Sequence, residues 1–357
     1  MTTLNRFQNE LSQTSADAAI ISSQINIRYL CGFDYTDGFL LILPSKAYLI
    51  TDFRYIEAAK KSVREFEVVM PDSDMLSELS LLMTLNGVKT VSIEDRDVSC
   101  ATFSEWSQKF NGITIASGAS EILKQQRMVK TDEELELINL SQQITDKAFE
   151  HILGFISTDR TELEVALELE FFMRSQGAES VAFDTIVASG SNSSLPHCVP
   201  SNKKLSHGFL TMDFGAKYKG YCSDMTRTVV IGKATDDMKK VYSTVLRAQN
   251  AALEQIHEGI DCREADKISR DIIFEAGFGN CFGHSLGHGV GLYIHESPSM
   301  SPRAQTGVSL TRGNVVTVEP GIYIEGKYGC RIEDMIAIGH DGKIINFTKS
   351  PKELIEI

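Results

Sequence analysis

The chain of 357 residues has no stretch that approaches the roughly 20 consecutive apolar residues of a membrane span. Its first twenty residues, MTTLNRFQNELSQTSADAAI, also lack the basic start and the apolar run of about 7–15 residues that mark a secretory signal. A cytoplasmic protein is the expectation. A disulfide framework is excluded too. The seven cysteines, at 31, 100, 198, 222, 262, 281 and 330, are odd in number, widely spaced and free of any C-x-x-C pair. No basic patch stands out. Lys+Arg of 35 against Asp+Glu of 48 gives a formal charge of −13, a field that repels phosphate backbones and anionic lipid. Neither nucleic acid nor membrane is therefore expected as a partner. Hydrophobic content of 42% and charged content of 23% are those of a folded globular chain. The length, about twice that of one ordinary domain, calls for two domains of unequal size.

From about residue 15 to 125, short β-rich runs (AAIISS, FLLILPSKAYLI, FEVVM, KTVSI, ITIAS) alternate with the helical stretches RYIEAAKKSV, SDMLSELSLLM and TFSEWSQKF. That rhythm predicts a small α/β domain over residues 1–128. The texture changes near Lys130, where Thr131-Asp132-Glu133-Glu134 forms a capping box. It opens a helix with Leu135, Ile138, Ile144, Ala148, Ile152 and Phe155 near one face, and a second domain, 129–357, begins here. A second box, Thr161 with Glu164, opens a helix ending at Gly177, and the strand-like runs VAFDTIVAS and GFLTMDFGA follow. The plan then repeats: Thr235 opens a helix to Gly259, Asp261 with Glu264 caps the next, and Gly277 stops it. Thr211-Met212-Asp213-Phe214-Gly215 parallels Thr317-Val318-Glu319-Pro320-Gly321. A second acid follows each, Asp224 after eleven residues and Glu333 after fourteen. The second domain is thus read as α+β, built of two related αα-ββ halves.

In each half an acid on one strand, a Gly-containing turn and an acid on the next strand can aim both carboxylates from one face of a hairpin. Four converging carboxylates repel one another, so some must hold protons unless cations lie between them. Asp213, Glu319 and Glu333 sit in apolar text (FLTMDFGA, NVVTVEPGIY, CRIEDMIAI), where an unpaired charge is costly to bury. His288, within GHSLGHGVG, offers a nitrogen from a backbone whose glycines permit close approach. Five ligands suit two ions. His284 and His288 stand four apart, as in the H-E-x-x-H zinc helix, but residue 285 is Ser and glycines interrupt the segment.

These residues resemble the pita-bread metallopeptidases, the creatinase/methionine aminopeptidase-like family that includes Xaa-Pro aminopeptidase and Xaa-Pro dipeptidase (prolidase). MDFGAKYKGYCSDMTRTV is similar to the segment with that family's two metal aspartates, GHSLGHGVGLYIHE to its metal-histidine segment, and VTVEPGIY and CRIED to its two metal glutamates. The resemblance implies a pita-bread catalytic domain in which Asp213, Asp224, His288, Glu319 and Glu333 hold two divalent ions. The oxygen-rich ligand set places Mn²⁺ first, with Co²⁺ or Zn²⁺ as alternatives. It implies further that Glu319 carries the proton, that His295 stabilises the tetrahedral intermediate, and that His197 lies on the substrate side of the site. By the same resemblance Arg331 would fix a ligand carboxylate or a substrate's carboxyl end, and His284 would line a proline pocket. The N-terminal segments DAAIISS, NIRYLCGF and TDFRY are similar to the creatinase/prolidase N-terminal domain, which favours the Xaa-Pro branch and a homodimer. The expected activity is hydrolysis of the bond before proline in Xaa-Pro dipeptides or N-terminal Xaa-Pro peptides. Two rivals are a metal-free creatinase-like hydrolase and a silent peptide-binding scaffold, and the intact ligand set counts against both. The departures from the family pattern are Cys198, Cys222 and Cys330, thiols close to proposed site residues and open to a role in oxidation sensitivity.

Overall fold

The computed structural model describes residues 1–34 and 37–357. It divides into two compact units, Met1–Arg127 and Met128–Ile357.

The first unit holds strands β1 (Ala18–Ile21), β2 (Gly38–Ile42), β3 (Ala47–Thr51), β4 (Glu67–Val69), β5 (Thr90–Ile93) and β6 (Thr114–Ala116). Its helices are α1 (Thr3–Leu11), α2 (Gln24–Cys31), α3 (Ile56–Ser62), α4 (Met75–Leu85), α5 (Cys100–Lys109) and α6 (Ala119–Met128). The sheet order is β4-β3-β2-β1-β5-β6, with β1-β2-β3 antiparallel and the outer pairs parallel. Every residue of β1 and β3 is buried, which is why these strands read as continuous apolar runs instead of alternating ones. The run FLLILPSKAYLI folds as the β2–β3 hairpin, with Leu40 opposite Leu49. Helices α1, α2 and α6 lay outside the sequence reading, although α1 carries Leu4, Phe7 and Leu11 at helical spacing.

In the second unit the two capping boxes form as expected. Thr131 and Glu134 open α7 (Asp132–Leu153), and Thr161 and Glu164 open α8 (Glu162–Ser175). Then come β7 (Ser180–Val181), β8 (Ile186–Ser189), β9 (Gly208–Phe214), β10 (Ala216–Tyr218), β11 (Tyr221–Cys222) and β12 (Met225–Ile231). Helices α9 (Asp236–Gln255) and α10 (Cys262–Ile273) precede β13 (Gly287–Gly289), β14 (Glu296–Met300), β15 (Val315–Val318), β16 (Gly321–Ile324), β17 (Tyr328–Arg331), β18 (Asp334–Ile338) and β19 (Ile344–Asn346). The halves share a central plan. The antiparallel trio β8-β9-β12 has its counterpart in β13-β15-β18, and a short hairpin, β10–β11 or β16–β17, separates the second strand from the third in each. Helices α7 and α8 pack on the first trio through Ile144, Ala148, Leu169 and Met173 against Leu210, Met212 and Val229. Helices α9 and α10 pack on the second through Ala252, Cys262 and Ala265 against Val316, Val318 and Ile336.

Several boundaries differ from the sequence reading. The α9 helix stops at Gln255 instead of reaching Gly259, because Ile256 is already extended and buries its side chain. The α10 helix ends at Ile273, and Gly277, with φ of 87°, closes the turn that follows. The Asp261 cap forms, but by accepting from the Arg263 N–H, without a reciprocal contact from Glu264. The run VAFDTIVAS is two strands on different sheets, since Ala182 leaves β7 and the chain rejoins a ladder only at Ile186.

Candidate metal centre

The acids sit at strand ends, not within a hairpin as their spacing suggested. Asp213 is the penultimate residue of β9, Asp224 immediately precedes β12, Glu319 immediately follows β15, and Glu333 immediately precedes β18. Two pseudo-equivalent strand pairs thus deliver one acid each from their second and third strands. Their ends meet where the Glu333 N–H donates to the Thr226 carbonyl at 3.1 Å. His288, in the middle of β13, completes the group. A Cβ on Gly287 would lie 1.9 Å from the Thr317 carbonyl oxygen, so only glycine lets β13 approach β15 closely enough to present that imidazole. Asp224 is set by its neighbour Ser223, whose hydroxyl is buried among Ser141 and Thr145 of α7 and the Ala216 backbone.

One ligating atom from each of Asp224, His288 and Glu333 falls within 4.8 Å of the other two. His288 Nε2 lies 3.6 Å from Asp224 Oδ2 and 3.4 Å from Glu319 Oε1. Asp213 is turned by Arg331, whose Nη2 donates to Oδ2 at 2.6 Å, while Oδ1 is buried without a hydrogen-bond partner. All five side chains are at least partly buried, Glu333 at 2% exposure. Burial and the facing charges of Glu333, Asp213 and Glu319 push the Asp224 carboxyl well above the carboxylate range, against the pull of Arg331. Burial, with Glu319 and Asp213 adding to it, does the same to Glu333. Glu319 is pushed up to about 8 by burial, with Arg331 opposing and Asp213 reinforcing. Burial, and then His295, lowers His288 to about 4, so its imidazole is neutral and keeps a lone pair to donate.

This donor set fits divalent cations. Three crowded carboxyls whose proton affinity is raised, a neutral imidazole and an orphaned buried oxygen on Asp213 are what a hard or borderline cation relieves.

The remaining expected residues lie around this group. The His295 ring packs edge-on against His288, with centroids 4.4 Å apart. Burial, and after it the charge of His197, lowers its pKa. His284 accepts or donates at Nε2 to the Tyr323 hydroxyl at 3.0 Å, and burial followed by the charge of Arg331 lowers it to about 3. Arg331 spends its guanidinium on Asp213, Thr226, Tyr323 and the Pro196 carbonyl, so holding an acid of the cluster is the contact it makes. His197 stands on an exposed loop, reached electrostatically by His284 and His295. Sequence reasoning missed Thr226, which donates to Glu333 Oε2 at 2.7 Å, Thr317, which donates to Glu319 Oε1 at 3.1 Å, and Tyr323. Their only signal was position, within a few residues of Asp224 or Glu319. Of the thiols, Cys222 and Cys330 are 2% and 0% exposed, and burial raises Cys330 to about 12, which leaves no reactive thiolate there.

Asp224, His288 and Glu333 gathered within 4.8 Å, with Glu319 against His288 and Asp213 held by Arg331, at the junction of two related half-domains, define a divalent-metal hydrolase. The chain belongs to metallopeptidase family M24, whose model matches residues 136–340, and its residues 4–129 match the creatinase/prolidase N-terminal domain. The catalytic unit is accordingly a pita-bread domain. An uncharacterised peptidase of Bacillus subtilis is 43% identical over 99% of both chains. The Xaa-Pro dipeptidase structure from Bacillus anthracis superimposes with a TM-score of 0.95 at 42% identity, covering 99% of each chain. The X-Pro aminopeptidase structure from Thermotoga maritima gives 0.91 at 38% identity, covering 98% of this chain and all 100% of its own. Among the described residues no helix is long and apolar enough to cross a membrane.

Proposed function

We propose that this chain is a dinuclear-metal peptidase that cuts the bond before proline. The observation that carries the reading is the convergence of Asp224, His288 and Glu333 within 4.8 Å, with Glu319 against His288 and Asp213 braced by Arg331. In this reading Asp213, Asp224, His288, Glu319 and Glu333 hold two divalent ions, Mn²⁺ before Co²⁺ or Zn²⁺. Bound there, the ions supply an acidified water and polarise the scissile carbonyl. Glu319 accepts a proton at its carboxylate and returns it to the leaving nitrogen, with the Thr317 hydroxyl fixing Oε1 during the exchange. His295 directs an N–H at the developing oxyanion. Arg331 orients Asp213, while Tyr323, bonded to both Arg331 and His284, ties the two substrate-side groups into one wall.

Proline specificity is supported by the names of the structural neighbours and by chemistry. The nitrogen of an Xaa-Pro bond carries no N–H, so a site for it needs no acceptor there and can enclose the ring instead, with His284 and His197 at its edge. A homodimer working in the reducing cytoplasm completes the reading, in keeping with seven free cysteines.

Metal-stripped and Mn²⁺-restored protein, incubated with Ala-Pro, Ala-Pro-Ala-Ala and Met-Ala-Ser and followed by mass spectrometry, tests it. Metal-dependent release before proline is the expected result. Cleavage of Ala-Pro alone identifies a dipeptidase, and cleavage of the longer proline peptide an aminopeptidase. Cleavage of Met-Ala-Ser alone overturns the proline assignment.

A further inference from the structure

The loop bearing His197 is gripped, away from the metal centre, by a carboxylate that takes no part in the chemistry described above. Glu162, the first residue of α8, is 0% exposed. Its Oε1 accepts the Ser189 N–H at 2.8 Å and Asn192 Nδ2 at 2.9 Å, and its Oε2 accepts the Ser201 N–H at 3.3 Å and the Ser201 hydroxyl at 2.7 Å. Ser189 ends β8, where the loop departs, and Ser201 lies where it returns, so one side chain closes the loop at both ends. The backbone at the start of α8 reinforces the closure, with Glu162 N–H donating to the Lys203 carbonyl at 3.1 Å and Leu163 N–H to the Ser201 carbonyl at 3.0 Å. The opposite side of the loop is tied to β17. Ser193 Oγ accepts the Gly329 N–H at 2.9 Å, and the Pro196 carbonyl accepts from Arg331 Nη1 at 3.4 Å. A Cβ on Gly329 would lie 2.2 Å from the Ser193 carbonyl oxygen, so this contact too is fitted closely.

A buried carboxylate is costly unless its lone pairs are filled, and here four neutral donors fill them. The loop is therefore strung between Glu162 in the first half of the catalytic unit and Arg331 in the second, and His197 directly follows the residue that Arg331 holds. We propose that Glu162 is a positioning residue that fixes the loop of residues 190–200 so that His197 meets the substrate. This rests on His197 acting on the substrate side of the site.

Glu162→Gln keeps the size but places an NH₂ where donors converge. The variants E162Q, S201A, H197A and the double variant E162Q/H197A are compared in the Mn²⁺-loaded protein for kcat and KM on Ala-Pro, for metal content, and for hydrogen exchange of residues 190–200. Faster exchange in the loop, unchanged metal content and a fall in kcat/KM of about tenfold are expected for E162Q. No further fall is expected when E162Q is added to H197A, because both act through the same imidazole. S201A removes one of the four donors, the Ser201 hydroxyl, and leaves the Ser201 N–H on Glu162 in place, so it gives the same pattern at smaller size if E162Q fails to fold. Unchanged loop exchange, additive losses with H197A, or an H197A enzyme as active as wild type would each overturn the proposal. A wild-type protein that leaves every Xaa-Pro peptide intact overturns the functional reading instead, while the exchange comparison, made without substrate, still decides whether Glu162 orders the loop.

Discussion

Glu319 and Arg331 approach the same cluster with opposite charge, and their substitutions separate two roles. Glu319→Gln removes the oxygen that carries the proton, and kcat on Ala-Pro is predicted to fall by at least about 100-fold. Full metal loading with full turnover would contradict that assignment. Arg331→Lys replaces a planar fork that donates to Thr226, Tyr323, Pro196 and Asp213 with a single point charge on a flexible stem. A fall in kcat/KM of about 10- to 100-fold is predicted, the range found when groups that orient a metal's ligands are lost. Steady-state kinetics with wild-type activity would show that Asp213 needs no brace. At this scale Asp213, Glu319 and Glu333 stood out because charged residues in apolar text need partners, Asp224 by its place after a Gly-containing turn, and His288 by the glycines around it. Thr226, Thr317 and Tyr323 were not, since Thr and Tyr are ordinary strand residues and nothing in the text separates a buried hydroxyl that holds a carboxylate from one that merely packs.

At the scale of the element, close approach of strands matters more than propensity. Gly287→Ala drives a methyl into the Thr317 carbonyl, and because the obstacle is backbone, neither strand can yield without breaking the β13–β15 ladder. A loss of about 3 kcal/mol or more is predicted, read from denaturant unfolding, together with weakened metal binding because His288 is displaced. An alanine variant of unchanged stability would show that the strands are not pressed together there. The helix starts were legible, since the boxes at Thr131 and Thr161 are encoded within four residues. Strand ends were less so. Asp224 and Glu333 were expected on strands and instead stand just before them, because the short hairpins β10–β11 and β16–β17 interrupt the ladders between the paired acids, and strands of two to four residues leave almost no periodic trace. The polar face of α7 also escaped notice. Ser141 and Thr145 are buried to hold Ser223, whereas an apolar period counts only hydrocarbon.

At the scale of the whole molecule, the metal centre couples stability to pH. In the metal-free fold Asp224, Glu319 and Glu333 keep their protons to higher pH than in the unfolded chain. Their contribution is therefore complete below the ordinary carboxyl values and is lost as pH rises through the folded ones, about 8 for Glu319. His284 and His288, lowered to about 3 and about 4, work in the opposite sense and cost stability only as pH falls below the ordinary imidazole value of 6.5. Between pH 6.5 and about 8 the carboxylates act alone. Calorimetry of metal-stripped protein should show the melting temperature falling across that interval, at a cost of up to about 1.4 kcal/mol per pH unit for each group. Mn²⁺ should flatten the slope, since ionised carboxylates then have a partner. A flat profile without metal would mean that the cluster is less crowded than its geometry implies. The two-half plan behind this coupling was legible from the echo of TMDFG in TVEPG, because each half repeats its acid in the same local text.

The most direct test of the account is the number of ions the chain holds. Apo-protein titrated with Mn²⁺, with bound metal counted by elemental analysis after dialysis, should reach two equivalents per chain, and Asp224→Asn should lower that number. Saturation at one equivalent or fewer, or a count indifferent to Asp224, would contradict a dinuclear centre built on Asp213, Asp224, His288, Glu319 and Glu333.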